Sequence, residues 1–189
     1  MIYSSKANAQ YLRQLALLKG IKNVIFSPGS RNAPLIIEMG NHPEMNSYTV
    51  PDERVAGFIG LGLAIAAESP TMLICTSGSA LLNYYPAVAE SFYQGVPLVI
   101  VSADRPSEWI DQADGQTIRQ ENVFKNHILY SAQLFKDGDD EKSNHYNQRV
   151  INEAFNIAIL KNGPVHINVP FDEPLYDTTE INLTVKNIN

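Results

Sequence analysis

Pro97-Leu98-Val99-Ile100-Val101-Ser102 carries no polar side chain before its last residue. A strand with this reading is apolar on both faces, and it is stable only in a sheet covered from both sides. Two shorter runs of the same kind precede it, Asn23-Val24-Ile25-Phe26-Ser27 and Thr71 to Thr76. Helical patterns separate them. Ser4 or Ser5 is expected to cap a first helix running to Lys19, with Ala9, Leu12, Leu15, Ala16 and Leu18 as its apolar stripe and Gly20 as its stop. Arg31 to Met39, Glu53 to Glu68 and the stretch from Ser79 to about Gln94 read as further helices, and Ser47 to Val50 as a short strand. Apolar strands alternating with helices predict an α/β domain, three layers α/β/α around a mainly parallel sheet.

Composition narrows the class. The chain has 189 residues, 20 acidic against 14 basic, for a net charge of −6. That balance disfavours a nucleic-acid or anionic-membrane surface, which needs clustered cations. Charged residues make up 18%, below the usual ~25%, so part of the surface is expected to be covered by a partner. Cys75 stands alone, with no internal disulfide to form, as suits a reducing compartment. The first residues show no secretory pattern, and the longest apolar run, Val55 to Ala67, falls short of the ~20 residues a bilayer span needs. The expected location is cytoplasmic.

Beyond Ala103 the signal weakens. Residues 103 to about 133 read as polar and irregular, and Asp137 to Glu141 as a solvated acidic turn. Tyr146 to Lys161 reads as a helix stopped by Gly163-Pro164. In the following strand Val165, Ile167 and Val169 alternate with His166 and Asn168, which places it nearer an edge of the sheet. After Pro174 the composition turns polar and loses its period. Residues 1–174 are therefore expected to form one domain, and 175–189 the start of a linker to further domains.

In an open parallel sheet, ligands bind beyond the carboxyl ends of the strands. Four such ends carry chemistry here: Ser27-Pro28-Gly29-Ser30-Arg31, Pro51-Asp52-Glu53-Arg54, Thr76-Ser77-Gly78-Ser79 and Ala103-Asp104-Arg105-Pro106. Small-residue turns opening a helix offer free backbone N–H groups, although Ser and Gly also serve as ordinary caps. Arg31 and Arg105 add guanidinium groups able to grip a carboxylate or phosphate. No P-loop and no nucleophile elbow is present. Gly60-Leu61-Gly62-Leu63-Ala64-Ile65 lacks the third small residue of a dinucleotide fingerprint and lies inside a helix.

Glu53 is the most informative single residue. A carboxylate at a helix start is normally a dipole partner, but the helix behind it has no polar side chain from Val55 to Ala67. Such a helix is either central to the core or packed on a second subunit, and the second case carries Glu53 to an interface. Metal ligation is not expected: His42, His127, His145 and His166 have no paired spacing.

These stretches, with Asp52-Glu53-Arg54-Val55-Ala56-Gly57-Phe58 and Gly115-Gln116-Thr117-Ile118-Arg119-Gln120, fall in one order. In that order the chain resembles the N-terminal part of the 2-succinyl-5-enolpyruvyl-6-hydroxy-3-cyclohexene-1-carboxylate synthases, thiamine diphosphate enzymes of menaquinone biosynthesis. The resemblance covers about residues 1 to 175. It implies the pyrimidine-domain fold of thiamine diphosphate enzymes and a transferase that decarboxylates 2-oxoglutarate and adds the resulting carbanion to isochorismate. It implies that Glu53 is catalytic and binds the cofactor aminopyrimidine at N1′, with Ser77, Gly78 and Ser79 nearby. Ser30, Arg31, Arg105 and Gln116 would bind substrate, and the enzyme would be a homodimer or larger. The resemblance assigns Mg²⁺ and the diphosphate to a Gly-Asp-Gly…Asn motif, which this sequence lacks. The chain alone is accordingly expected to be inactive. The alternative is a non-catalytic dimerisation or binding module on the same fold.

Overall fold

A computed structural model describes residues 2–137 and 140–185. Gly138 and Asp139 of the expected acidic turn, and 186–189 of the expected linker, lie outside the described residues.

The elements follow the sequence in order: β1 (Tyr3–Ser4), α1 (Ala7–Leu18), β2 (Asn23–Phe26), α2 (Ala33–Met39), β3 (Asn46–Thr49), α3 (Glu53–Ala67), β4 (Thr71–Cys75), α4 (Tyr85–Gln94), β5 (Leu98–Asp104), β6 (Tyr130–Gln133), α5 (Glu141–Lys161), β7 (Val165–Pro170) and β8 (Thr178–Thr179). Six strands form one sheet in the order β3-β2-β4-β5-β7-β6, every pairing parallel. The register sets Phe26 beside Ile74, Ile74 beside Val101 and Val101 beside Ile167, so the carboxyl ends of the central strands reach one rim together.

Alternate strand residues feed two separate cores. Val24, Phe26, Met72, Ile74, Val99 and Val101 pack under α1, α2 and α5. Ile25, Leu73, Cys75, Leu98 and Ile100 pack under α3 and α4. The two-sided covering expected from Pro97–Ser102 is therefore present, and the architecture is the three-layer α/β/α one.

Local departures have local causes. The N-cap of α1 is Lys6, without a side-chain cap. Ser4 instead sits fully buried in β1, where its Oγ accepts from the Lys6 amide at 3.2 Å. Between β4 and α4 the chain runs as a 3-10 helix, Gly78–Tyr84, rather than a continuous α-helix. Helix α5 begins at Glu141, five residues ahead of expectation, because Asp140 caps it by accepting from the Ser143 amide at 2.8 Å.

Strand β7 does lie near an edge of the sheet, but its alternate polar residues are not exposed. It lies between β5 and β6, all six residues buried, and the edge is β6, in the stretch read as irregular. Its polar residues are internal. His166 is fully buried, its Nε2 2.7 Å from Ser102 Oγ and its ring edge-on to Phe124 at 5.4 Å. Alternation here marks a buried polar layer, not a solvated face.

The stretch after Pro174 is held to the body of the domain. Thr178 and Thr179 pair antiparallel with Ser4 and Tyr3. Asn182 Oδ1 accepts from Arg13 Nη2 at 2.8 Å, and the Leu183 amide donates to Gln10 Oε1 at 2.8 Å. Arg13 itself is paired with buried Glu38 at 2.5 Å. Among the described residues no helix is long and apolar enough to cross a membrane.

Candidate functional site

The rim is built by tight turns. After β2, buried Asn32 closes the Ser27–Arg31 turn: its Oδ1 accepts from the Gly29 amide at 2.9 Å and its Nδ2 donates to the Ser27 carbonyl at 3.0 Å. Gly29 is required there, since a Cβ would stand 2.6 Å from the Thr76 side chain of the next strand end. Ser27 Oγ donates to the Val50 carbonyl and accepts from Tyr84 at 3.1 Å, which joins the ends of β2 and β3 to the 3-10 helix. The turn leaves Ser30 exposed at the surface and Arg31 buried below it.

Arg31 and Arg105 are brought together. Both line a cavity of about 200 Å³ with Pro106, Trp109, Asp114, Asp172 and Glu173. Each guanidinium already meets its own chain. Arg31 Nη1 donates to the Phe171 carbonyl at 2.9 Å, and its Nη2 lies 3.4 Å from Glu173. Arg105 Nε donates to Asp114 at 2.6 Å, and its Nη2 to the Gly115 carbonyl at 2.9 Å. Arg31 Nε is buried with no hydrogen-bond partner. Burial, and then the neighbouring Arg105 charge, push the Arg31 guanidinium below its usual range. An added anion would relieve both costs, so the cavity suits a carboxylate that competes with Asp114 and Glu173.

The second grouping joins β4's end to the loop before β6. Ser77 Oγ donates to the Gln116 carbonyl at 3.0 Å. Gly78, at φ +84°, lets that carbonyl approach to where a Cβ would stand 2.8 Å away. Ser77 and Gly78 are buried, while Gln116 and Ser79 are exposed.

Glu53 opens α3, and Asp52 caps the helix by accepting from the Val55 amide at 3.0 Å. Among the described residues the Glu53 carboxylate has no hydrogen-bond or ion-pair partner. It lies close enough to Cys75 and Tyr84 to raise both, after burial, the larger cause. A half-buried carboxylate without a partner among the described residues can accept a hydrogen bond from a ring nitrogen.

Helix α3 is not buried all round. Ala56, Gly57, Gly60, Leu61 and Ala64 face inward, and a Cβ on Gly60 would lie 2.5 Å from Leu73. The small-residue stripe thus seats α3 on its own sheet. The outer face exposes Val55, Phe58, Ile59 and Ile65, each 45–50% accessible. A contiguous apolar face of this kind marks an interaction surface.

Sequence reasoning quoted Asp104 and Gln120 only as parts of motifs, and passed over Asn168 as half of an edge alternation. All three line a second cavity of about 480 Å³ on the same rim. Burial pushes the Asp104 carboxyl up to about 6, against hydrogen bonds from Asn168 and the Arg105 amide that favour the charged form. His166 moves the opposite way, down to about 3, through burial. The signs oppose. His166 contributes stability fully present above about pH 6.5 and lost as pH falls toward 3, because only the unfolded chain then takes up its proton. Asp104 keeps a proton in the fold that the unfolded chain releases above about pH 4, so its ionisation costs stability that returns as pH falls below 6. The advantage of the wild-type chain over His166→Gln should therefore shrink as pH falls from about 7 to about 4. Urea midpoints across that range measure it, and a constant gap would show that His166 is not held neutral. Among the described residues no group of three or more His, Cys, Asp or Glu side chains could hold a metal ion.

Residues 6–128 match the family model of the thiamine pyrophosphate enzyme, N-terminal TPP binding domain. Among curated proteins the chain is 54% identical to a 2-succinyl-5-enolpyruvyl-6-hydroxy-3-cyclohexene-1-carboxylate synthase of Christiangramia forsetii, over 95% of this chain and 33% of that protein. It is 52% identical to the synthase of the same name from Flavobacterium johnsoniae, over 100% and 33%, and 49% identical to that of Porphyromonas gingivalis, over 94% and 31%. The chain spans about one third of the length of these relatives.

Proposed function

The chain belongs to the thiamine pyrophosphate enzyme family through its N-terminal TPP-binding domain, and we propose that it is the pyrimidine-binding domain of a 2-succinyl-5-enolpyruvyl-6-hydroxy-3-cyclohexene-1-carboxylate synthase. The full-length enzyme would transfer the four-carbon unit left by decarboxylation of 2-oxoglutarate to isochorismate, with release of CO₂. The observation that carries this reading is Glu53, a carboxylate left unpartnered at the head of a helix whose outer face is apolar.

Bound thiamine diphosphate supplies the electron sink that decarboxylation of a 2-oxo acid requires. Glu53 would hold the N1′ side of its pyrimidine and the proton shared there. Ser77, Gly78 and Ser79 would flank that ring. Ser30, Arg31, Arg105 and Gln116 would hold substrate carboxylate, with the buried Arg31 Nε as the donor still open. The sequence lacks the Gly-Asp-Gly…Asn motif to which the resemblance assigns Mg²⁺ and the diphosphate, so both are assigned to other parts of the enzyme. The exposed face of α3 is assigned to a second copy, which would bring Glu53 to a shared site. That same face is what favours the second reading, a dimerisation module without chemistry.

The test is an assay of the full-length protein for CO₂ release from 2-oxoglutarate. Release that requires both isochorismate and thiamine diphosphate supports the proposal, and release independent of the cofactor overturns it.

A further inference from the structure

Gln120 is fully buried, yet it belongs to no core cluster and its side chain is wholly engaged. Its Oε1 accepts from the Gly78 amide at 2.7 Å, and its Nε2 donates to the Ala103 carbonyl at 3.1 Å and to Asn168 Oδ1 at 2.8 Å. One amide therefore joins the ends of β4, β5 and β7 to the loop that carries Gln116.

Two bonded paths run from it toward the rim. On one side, Gly78 and Ser77 hold the Gln116 carbonyl, and Gln116 itself sits at φ +57°, a conformation that needs support from outside. On the other, Asn168 Nδ2 donates to Asp104 Oδ2 at 2.6 Å, and Asp104 Oδ1 accepts from the Arg105 amide at 2.8 Å. Asn168 is further fixed by Ser102 Oγ at 2.7 Å and by Gln133 Oε1 at 2.8 Å. No bond of Gln120 reaches the rim directly. It acts through the backbones of Gly78 and Arg105, and a buried amide with every one of its own donors and its acceptor engaged defines a single arrangement.

We propose that Gln120 is a positioning residue that sets, from behind, where Gln116 and Arg105 stand at the rim. The claim rests on the proposed function, in which those two residues hold substrate carboxylate, and it assigns them to isochorismate rather than to 2-oxoglutarate. Near-isosteric Gln120→Met removes the side-chain partner of the Gly78 amide and of the Ala103 carbonyl and leaves Asn168 Oδ1 with Ser102 Oγ alone, which frees the loop.

The test has two arms. In the 189-residue chain, hydrogen exchange and amide spectra should show Gly78 protected in the wild type. In Gln120→Met that protection should be lost and the Gln116 amide and Arg105 Nε–H signals should move, while Val99–Val101 stay protected. Gln120→Glu keeps an oxygen facing Gly78 and should retain its protection, so a Gln120→Met chain that fails to fold still leaves a readable variant. Unmoved Gln116 and Arg105 signals in both variants would overturn the proposal.

In the full-length enzyme, Gln120→Met should raise KM for isochorismate by about tenfold or more, with KM for 2-oxoglutarate unchanged. Gln133→Met, which cuts another bond of Asn168, should lower Tm without moving that KM. If Gln133→Met raises KM in proportion to its Tm loss, Gln120 is only a structural residue and the proposal fails. If the wild-type enzyme ignores isochorismate, the functional reading fails, and the exchange arm alone decides the positioning.

Discussion

Glu53→Gln in the full-length enzyme is expected to cut the rate by roughly two to four orders of magnitude while leaving the fold intact. The two effects separate because of where Glu53 stands. Its carboxylate has no hydrogen-bond or ion-pair partner among the described residues, and the cap of α3 is made by Asp52 instead. The favourable local interaction lost is with the helix dipole, about 0.3–1 kcal/mol at a helix N-terminus. Glutamine keeps the shape and a hydrogen-bonding oxygen but cannot take or share a proton. Steady-state turnover and thermal unfolding of the same preparation measure both sides. Near-normal turnover would favour the module without chemistry.

Ile59→Asp should break the proposed association between copies. Ile59 is 46% exposed on the outer face of α3, with Val55 and Phe58 beside it, and belongs to neither core. The substituted helix therefore still folds. At an apolar interface the same carboxylate loses the burial of an isoleucine and brings an unpaired charge, together weakening association by at least about a hundredfold. Sedimentation at matched concentrations should show the wild-type full-length protein as a dimer or larger and the variant as a monomer. Turnover should fall with it, since Glu53 heads the same helix. A variant that stays assembled would remove this face from the interface.

The layered fold was legible because its signals are local. Pro97–Ser102 could be stable only between two layers of helices, and the two cores divide its residues by alternate side chains. Helix α3 was legible in part. Its lack of polar residues announced burial, but only packing shows that Gly60 faces the home sheet and Gly57 faces Ala87 and Tyr84, while Phe58 and Ile59 face outward. Strand β7 was legible in position but not in exposure, because Ser102 joins His166 and Asn168 in a buried layer, at sequence distances no periodicity reports. Strand β6, Tyr-Ser-Ala-Gln, is an edge with a single fully buried apolar residue, Ala132, and so has no pattern to read. At the site, the turns that carry Ser30, Arg31 and Arg105 were visible as turns. The carboxylates that occupy the arginines were not: Glu173 lies far from Arg31 in the sequence, and Asp114, nine residues beyond Arg105, lies in a stretch with no periodic pattern.

The central claim is that this chain supplies the pyrimidine half of a thiamine diphosphate active site. Its most direct test is CO₂ release from 2-oxoglutarate, with isochorismate, thiamine diphosphate and Mg²⁺ present, by the full-length protein and by residues 1–189 side by side. Release by the full-length protein and none by the chain alone is the predicted result. Release by the 189-residue chain alone would contradict it.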